Sequence, residues 1–468
     1  MIFHSLTYIV FLLIVLALYW SVSLRWQNVL LVIAGYVFYG WEHTWFLYPL
    51  WGSTLVDWSC ALAMERWPHR RRVFLLISIC GSLTLLGTFK YANFFLDNLD
   101  TLLAQFGARP VHVALRLALP VGISFYTFQS IGYVVDVYRQ RVPAERSLLK
   151  YALYVTFFPQ LVAGPIERAA HMLPQYSSPR YFNPELWRSA LGLMLWGFFK
   201  KVVIADNLAI IANKIFALSA PTFPVLWAGV LAFTVQIYAD FSAYTDIARG
   251  TARLLGIELM RNFLHPYIAT SPADFWRRWH ISLSTWMRDY LYIPLGGSRC
   301  SPSRNSFNLV ATFAISGLWH GASWNFVIWG FYWGFLLLVE RGWTALGWKQ
   351  QMPWLLKVVA TFILACIGWL MFRERDTAQL LHDFTLSPFA AGRRDWAIGI
   401  YFAFLVCIYS LPLAIHLLCT GIFPRWNLDF QLPERGRLVF ETVVGIAIFM
   451  GILTLRSLTT SDFIYFQF

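Results

Sequence analysis

Charged residues are scarce in this sequence. They make up 13% of its 468 residues, whereas 58% of the residues are hydrophobic. An average soluble domain carries roughly a quarter charged residues, so this chain cannot build a water-exposed surface of ordinary polarity. The scarcity excludes a soluble globular protein and indicates a protein whose solvent is lipid.

Short signatures of several enzyme classes are also missing. The six cysteines form no C-x-x-C motif, so neither a disulfide framework nor a thiolate metal site is indicated. No H-E-x-x-H, G-x-S-x-G, P-loop or dinucleotide motif stands in a suitable context. The chain therefore offers no zinc enzyme, serine hydrolase, ATPase or oxidoreductase. It has no matching pair of interrupted helices in two halves, which weighs against a secondary transporter.

Long apolar runs are present along the whole chain. They cover residues 5–24, 28–40, 45–63, 73–89, 113–135, 186–199, 224–239, 308–319, 324–339, 354–372, 398–419 and 438–456. Their lengths predict an all-α polytopic membrane protein with about 11 to 13 transmembrane or re-entrant helices. The first run has no charged region before it and no small-residue cleavage site, so it is interpreted as a retained helix.

The net charge of +13 comes from basic residues in particular loops. These residues follow the first, third and fifth runs: Arg25, Arg66, Arg70, Arg71, Arg72, Arg139, Arg141, Arg146 and Lys150. Loops that follow odd-numbered spans lie on one side of the membrane, and the positive-inside rule makes that side the cytoplasm. The N-terminus is therefore predicted to lie outside the cytoplasm, and the positive charge does not call for nucleic acid.

Polar residues are concentrated in the middle of the chain, between about residues 156 and 325. His320 stands there at the end of an apolar run with Gly321 after it. An ionisable group near membrane depth is costly, which makes it a functional candidate. The alternative is a histidine that hydrogen-bonds to a neighbouring helix for packing.

His280 lies in the segment PADFWRRWHISLSTWMRDYLYIPLGG. Aromatic and apolar residues recur in it at helical spacing, and charged residues occupy the other faces. The segment predicts one amphipathic helix at the membrane interface, which ends at Pro294 and the glycine pair that follows. His280 would then either face an embedded site or lie on the wet face of the helix.

Asp240 and Asp246 are carboxylates beside an apolar run, and each needs a donor or water. They either shape a cavity or pair structurally with arginines, and the structural role is favoured.

Six segments occur in a characteristic order: FPQLVAGPIER, FKKVVIADNLA, DFSAYTDIARG, NFLHPY, FWRRWHISLSTWMRDYLYIPLGG and GLWHGASWNFVIWG. Together they resemble the membrane-bound O-acyltransferase (MBOAT) family, in particular its bacterial alginate O-acetyltransferase branch. That branch is similar to the membrane proteins of teichoic acid D-alanylation and of peptidoglycan O-acetylation. The resemblance spans most of the chain and is densest over residues 120–340.

The resemblance implies a single integral-membrane domain over residues 1–468, with a catalytic core at about 120–340, a ring of helices and a central funnel. The family's essential histidine matches His320, and its second, more variable polar position matches His280. The implied donor is acetyl-coenzyme A, and no metal is expected. The implied partners are membrane lipid, periplasmic acetyltransferase or acetyl-relay proteins, and the polysaccharide synthesis and export machinery. The implied location is the bacterial inner membrane, with the N-terminus in the periplasm.

The chemistry implied for these residues is the acetylation of a hydroxyl group. His320 is expected to act as general base, or to form a covalent acyl intermediate, and His280 to position the thioester or the oxyanion. Lys200, Lys201, Arg277 and Arg278 either bind the coenzyme A phosphates or reach toward lipid headgroups. The acceptor is predicted to be an alginate- or cellulose-like exopolysaccharide, with peptidoglycan or teichoic acid as alternatives. A transporter or flippase is the alternative from another class.

Overall fold

The computed structural model describes residues 1–107, 118–162, 164–347, 352–422, 433–459, 461 and 463–464. Within these ranges the chain forms twenty α-helices and no β-strand, which confirms the predicted all-α fold. The chain divides into two compact units, Met1–Ala190 with Ala248–Met260, and Leu191–Ile247 with Arg261–Phe468. The single domain with its ring and funnel stays a prediction.

The first unit is built from nine complete helices. They are α1 (Leu6–Tyr19), α2 (Leu24–Gly40), α3 (Leu47–Arg66), α4 (Arg71–Leu86), α5 (Ala92–Gln105), α6 (Ile123–Tyr138), α7 (Leu148–Thr156), α8 (Phe158–Leu161) and α9 (Ala169–Ser177). Helix α1 begins where the Ser5 hydroxyl accepts a hydrogen bond from the Tyr8 N–H at 3.1 Å. The Tyr8 hydroxyl lies 2.6 Å from that of Thr251, and the Tyr19 hydroxyl donates to the Leu255 carbonyl at 2.7 Å. Both tyrosines fasten α1 within the unit.

The second unit carries the polar middle of the chain. Its complete helices are α11 (Asp206–Phe216), α13 (Pro272–Arg278), α14 (Ile281–Met287), α15 (Pro302–His320), α16 (Trp324–Ala345), α17 (Trp354–Arg373), α18 (Thr377–Asp383), α19 (Arg393–Leu417) and α20 (Glu434–Leu455). Helices α10 (Pro184–Phe199) and α12 (Phe223–Leu254) contribute residues to both units.

Five helical stretches of the described chain are long and apolar enough to cross a membrane. They are Pro68–Gln105, Phe223–Leu254, Trp354–Arg373, Arg393–Ile422 and Glu434–Leu455. These stretches are consistent with a polytopic membrane protein. Other predicted runs form helices that do not reach the same length and hydropathy, and the run predicted at residues 113–135 falls partly outside the described residues. The number of about 11 to 13 spanning or re-entrant helices stays a prediction.

The prediction of one amphipathic helix around His280 is wrong. The segment forms two short helices, α13 and α14, which are separated at Trp279 and His280. The break occurs because His280 has a left-handed backbone, with φ 42° and ψ 55°, and that conformation cannot continue a right-handed helix. The aromatic residues Phe275, Trp279 and Trp286 of the segment are buried inside the second unit, and Tyr290 is half-buried.

Candidate functional site

His320 is the last residue of α15 and is buried, with 3% of its surface exposed. Its ring is surrounded by aromatic rings from the same helix and from α16 and α17. The ring centroids of Trp319, Trp329 and Phe372 lie 5.0, 5.1 and 5.3 Å from that of His320. These neighbours exclude water from the imidazole, so any electrostatic interaction it makes with a substrate is strengthened.

Close packing of α15 against α16 fixes the position of His320. A Cβ atom on Gly317 would lie 2.1 Å from the carbonyl oxygen of Phe326, and one on Gly321 would lie 2.0 Å from the ring of the same residue. The glycines beside His320 therefore allow two helices of the protein to approach closely.

His280 lies at the start of α14 and is completely buried. A left-handed backbone at a residue other than glycine costs about 1–3 kcal/mol and is found preferentially at functional sites. Burial lowers the pKa of His280 to about 3, so the imidazole is neutral at physiological pH. The ring of Phe241, on α12, contacts it edge-on with the centroids 4.7 Å apart.

The two histidines lie together although 40 residues separate them in the sequence. Their ring centroids are 6.4 Å apart and the ring planes are inclined at 53°. A neutral imidazole has one nitrogen that accepts a proton and one N–H that donates a hydrogen bond. Two such rings at this separation can act on one reacting group, one as a base and the other as a hydrogen-bond donor.

A larger aromatic cluster supports this pair. Its members beyond the first neighbours of the histidines are Phe275, Trp276, Trp279, Trp333 and Trp369. Phe275 stacks on Trp333 with the ring centroids 5.0 Å apart and the planes at 5°. The sequence analysis did not identify Trp329, Phe372 or Phe241. Trp329 could have been found from its place in the same short motif as His320.

A cavity of about 360 Å³ lies in the second unit, and its lining includes Ile281, the neighbour of His280, but neither histidine. Three arginines contribute to its wall, Arg277, Arg288 and Arg341. Thr312 and Ser316 also line it, and they lie two turns and one turn before His320 on the same face of α15. The cavity therefore runs along the helix face that ends at His320, with cationic side chains in its wall.

The structure separates the two neighbouring arginines that were predicted to bind phosphates. Arg277 is exposed and lines the cavity. The Arg278 guanidinium donates to Asp274 at 2.9 Å and to the Leu264 carbonyl at 3.3 Å. Arg278 is thus engaged with its own helix and with a neighbouring loop.

The two lysines predicted to bind phosphates are buried in ion pairs. The Lys200 ammonium lies 2.8 Å from Asp246, and the Lys201 ammonium lies 2.9 Å from both Asp206 and Asp240. Their role toward coenzyme A stays a prediction, and this burial does not favour it. Asp240 and Asp246 have the structural role that was favoured, and each pairs with a lysine.

No group of three or more His, Cys, Asp or Glu side chains in the described part of the chain is arranged to hold a metal ion. The expectation that no metal is required stays a prediction.

The sequence is similar to those of known membrane acyltransferases. The sequence model of the membrane-bound O-acyltransferase family, MBOAT, matches residues 75–374. The probable alginate O-acetylase AlgI of Pseudomonas aeruginosa is 43% identical over 382 residues, 80% of this chain and 72% of that protein. The probable alginate O-acetylase AlgI of Pseudomonas putida is 37% identical over 496 aligned positions that span 100% of both chains. The peptidoglycan O-acetyltransferase of Helicobacter pylori is 36% identical over 382 residues, 75% of this chain and 72% of that protein.

Proposed function

Because the chain belongs to the membrane-bound O-acyltransferase family, and is therefore an O-acyltransferase, we propose that it takes an acetyl group from cytoplasmic acetyl-coenzyme A. The acetyl group serves the O-acetylation of an exported polysaccharide. The observation that carries this proposal is the pair of buried histidines, His280 and His320, with ring centroids 6.4 Å apart.

In the proposed reaction the oxygen of an acceptor hydroxyl attacks the carbonyl carbon of the thioester. His320 takes the hydroxyl proton as this bond forms. The tetrahedral intermediate then breaks its carbon–sulfur bond, and His320 returns the proton to the coenzyme A thiolate. The products are an acetyl ester and the coenzyme A thiol. His280 is neutral and keeps one N–H, which can donate a hydrogen bond to the oxyanion.

The donor is proposed to enter through the cavity lined by Arg277, Arg288 and Arg341. Guanidinium groups bind phosphate oxygens in a bidentate manner, which suits the nucleotide end of coenzyme A. Apolar side chains of the cavity wall, such as Leu309 and Phe313, suit the longer pantetheine arm. The thioester would then arrive at the end of α15, where His320 lies.

The acceptor is proposed to be an alginate-like exopolysaccharide, because the two Pseudomonas relatives are named as probable alginate O-acetylases. Peptidoglycan is the alternative acceptor, and it is supported by the Helicobacter relative. Separate periplasmic proteins are proposed to relay the acetyl group, in a bacterial inner membrane across which the N-terminus faces the periplasm. A transporter is no longer favoured, because this family consists of acyltransferases.

The test is the substitution His320→Ala, with His69→Ala as the control at an exposed position. Cells that produce the full-length protein receive radiolabelled acetate, and label is counted separately in the exported polymer and in peptidoglycan. Loss of the general base should lower the labelling by about a hundredfold to ten-thousandfold, while immunoblots show equal amounts of protein in the membrane. Well-expressed His320→Ala protein that acetylates at the normal level would refute the proposal.

Two further measurements separate the alternatives. Label in peptidoglycan rather than in the exported polymer would identify the other acceptor. Rapid quenching of purified protein with acetyl-coenzyme A, followed by mass spectrometry, distinguishes the two roles of His320. An acetyl group found on His320 would support the covalent route, whereas an unmodified His320 during turnover supports the general base.

A further inference from the structure

The helix that the sequence predicts around His280 is interrupted by a segment from another part of the second unit. In a continuous α-helix, the N–H groups of Ile281 and Ser282 would donate to the carbonyls of Arg277 and Arg278. Both N–H groups instead donate to Asn262. The Ile281 N–H donates to its backbone carbonyl at 3.0 Å, and the Ser282 N–H donates to its side-chain oxygen at 3.2 Å.

The same segment also donates a hydrogen bond to one of the carbonyls that lose their helical partner at the break. The Leu264 N–H donates to the Arg278 carbonyl at 3.0 Å. Asn262 is completely buried, so solvent does not compete for these bonds. The residues from Asn262 to Leu264 thus replace the hydrogen bonds that would otherwise join α13 and α14 into one helix.

The conformation of His280 depends on this replacement. With two acceptors from Asn262, the first N–H groups of α14 are satisfied while His280 has its left-handed backbone. Without the side-chain acceptor, the Ser282 N–H would lose this bond, and a merging of the two helices would offer it the Arg278 carbonyl instead. Merging would turn His280 into a right-handed conformation and move its ring relative to His320.

We infer that Asn262 is a positioning residue for His280, which it holds in the left-handed turn between α13 and α14. The inference rests on the proposed function, because it assigns His280 a part in acetyl transfer. Asn262 itself is not assigned any contact with the substrate.

The test compares Asn262→Leu with Asn262→Asp, each in the wild-type background and in a His280→Ala background. Leucine has a similar volume and no acceptor, whereas aspartate keeps an oxygen for the Ser282 N–H. Purified full-length protein is added to membranes that contain the polysaccharide machinery, and the transfer of label from radiolabelled acetyl-coenzyme A is measured. Rates are divided by the amount of folded protein, measured by size-exclusion chromatography in detergent.

In the wild-type background, Asn262→Leu should lower the rate by roughly tenfold to a hundredfold, since misplacing a catalytic group by about 1 Å has an effect of this size. In the His280→Ala background the same substitution should change the remaining rate by less than about twofold, because the group that it positions is already absent. Asn262→Asp should retain more activity than Asn262→Leu.

Three results would overturn the inference: a wild-type rate for folded Asn262→Leu, an equal loss in both backgrounds, or failure of both Asn262 variants to fold. The last would assign Asn262 to folding rather than to positioning. These outcomes are distinguishable from failure of the proposed function. In that case His280→Ala and His320→Ala would themselves retain the wild-type rate.

Discussion

Gly317 offers a direct test of whether the spacing of two helices sets the position of His320. The substitution Gly317→Ala would place a Cβ atom 2.1 Å from the Phe326 carbonyl oxygen, whereas ordinary van der Waals contact lies at 3.4–4 Å. The backbone of α16 cannot rotate away as a side chain can, so α15 and α16 must separate. Overpacking of this kind costs about 1–3 kcal/mol of stability. His320 lies one turn later on α15, so a shift of about 1 Å should also lower the rate by about a hundredfold.

Gly342→Ala on α16 is the matched control. No atom lies within 4 Å of a Cβ at Gly342, and alanine is the better helix former by about 1 kcal/mol, so this variant should be as stable as the wild type or slightly more so. The assay is the rate of acetyl transfer per folded protein, together with the thermal unfolding midpoint in detergent. If Gly317→Ala matches Gly342→Ala in both measurements, the helix contact does not position His320 and the reasoning is refuted.

Three further results are expected. Lys201→Met leaves buried carboxylates without their cation and should lower the free energy of unfolding by about 3–5 kcal/mol; an unchanged thermal midpoint would contradict the importance of this ion pair. Arg277→Ala should raise the KM for acetyl-coenzyme A with little change in kcat, whereas Arg278→Ala should not, and equal effects on KM would count against the cavity as the donor site. The hydrogen bond that His171 donates to Glu167 raises the pKa of His171. The stabilisation of the fold by this bond is therefore complete below the ordinary histidine pKa, and it is lost as the pH rises through the raised pKa. The difference in unfolding midpoint between wild type and His171→Gln should therefore shrink from about pH 5 to about pH 9, and a difference that grows would contradict this assignment.

The long apolar runs predicted the helices of the C-terminal part with small errors. The runs at residues 354–372, 398–419 and 438–456 correspond to Trp354–Arg373, Arg393–Leu417 and Glu434–Leu455. These helices could be predicted because in lipid every backbone N–H and carbonyl must be satisfied within the segment itself. A run of apolar residues that is long enough then has few alternatives to a helix.

The wrong prediction of one continuous helix around His280 arose because the break there depends on a distant segment. The spacing of its aromatic residues is helical over the whole segment, and that local pattern contains no glycine or proline where the helix breaks. The break depends on Asn262, which supplies acceptors from 18 residues earlier in the sequence. A periodicity argument considers neighbours within a few turns, so it cannot detect hydrogen bonds that a distant segment offers in place of those of the helix.

Site residues could be identified from the sequence only where one position alone carries the signal. His320 stands out in the sequence because an ionisable group near membrane depth is costly wherever its partners lie, and this cost can be recognised from one position alone. The partner of Lys201 cannot be recognised in this way. Lys201 pairs with Asp240, 39 residues later, and the sequence around a lysine is the same whether its partner is a distant carboxylate or a phosphate. Sequence reasoning therefore finds the groups that need an explanation. Only the contacts of each group show whether its partner is a carboxylate of the same protein or a substrate.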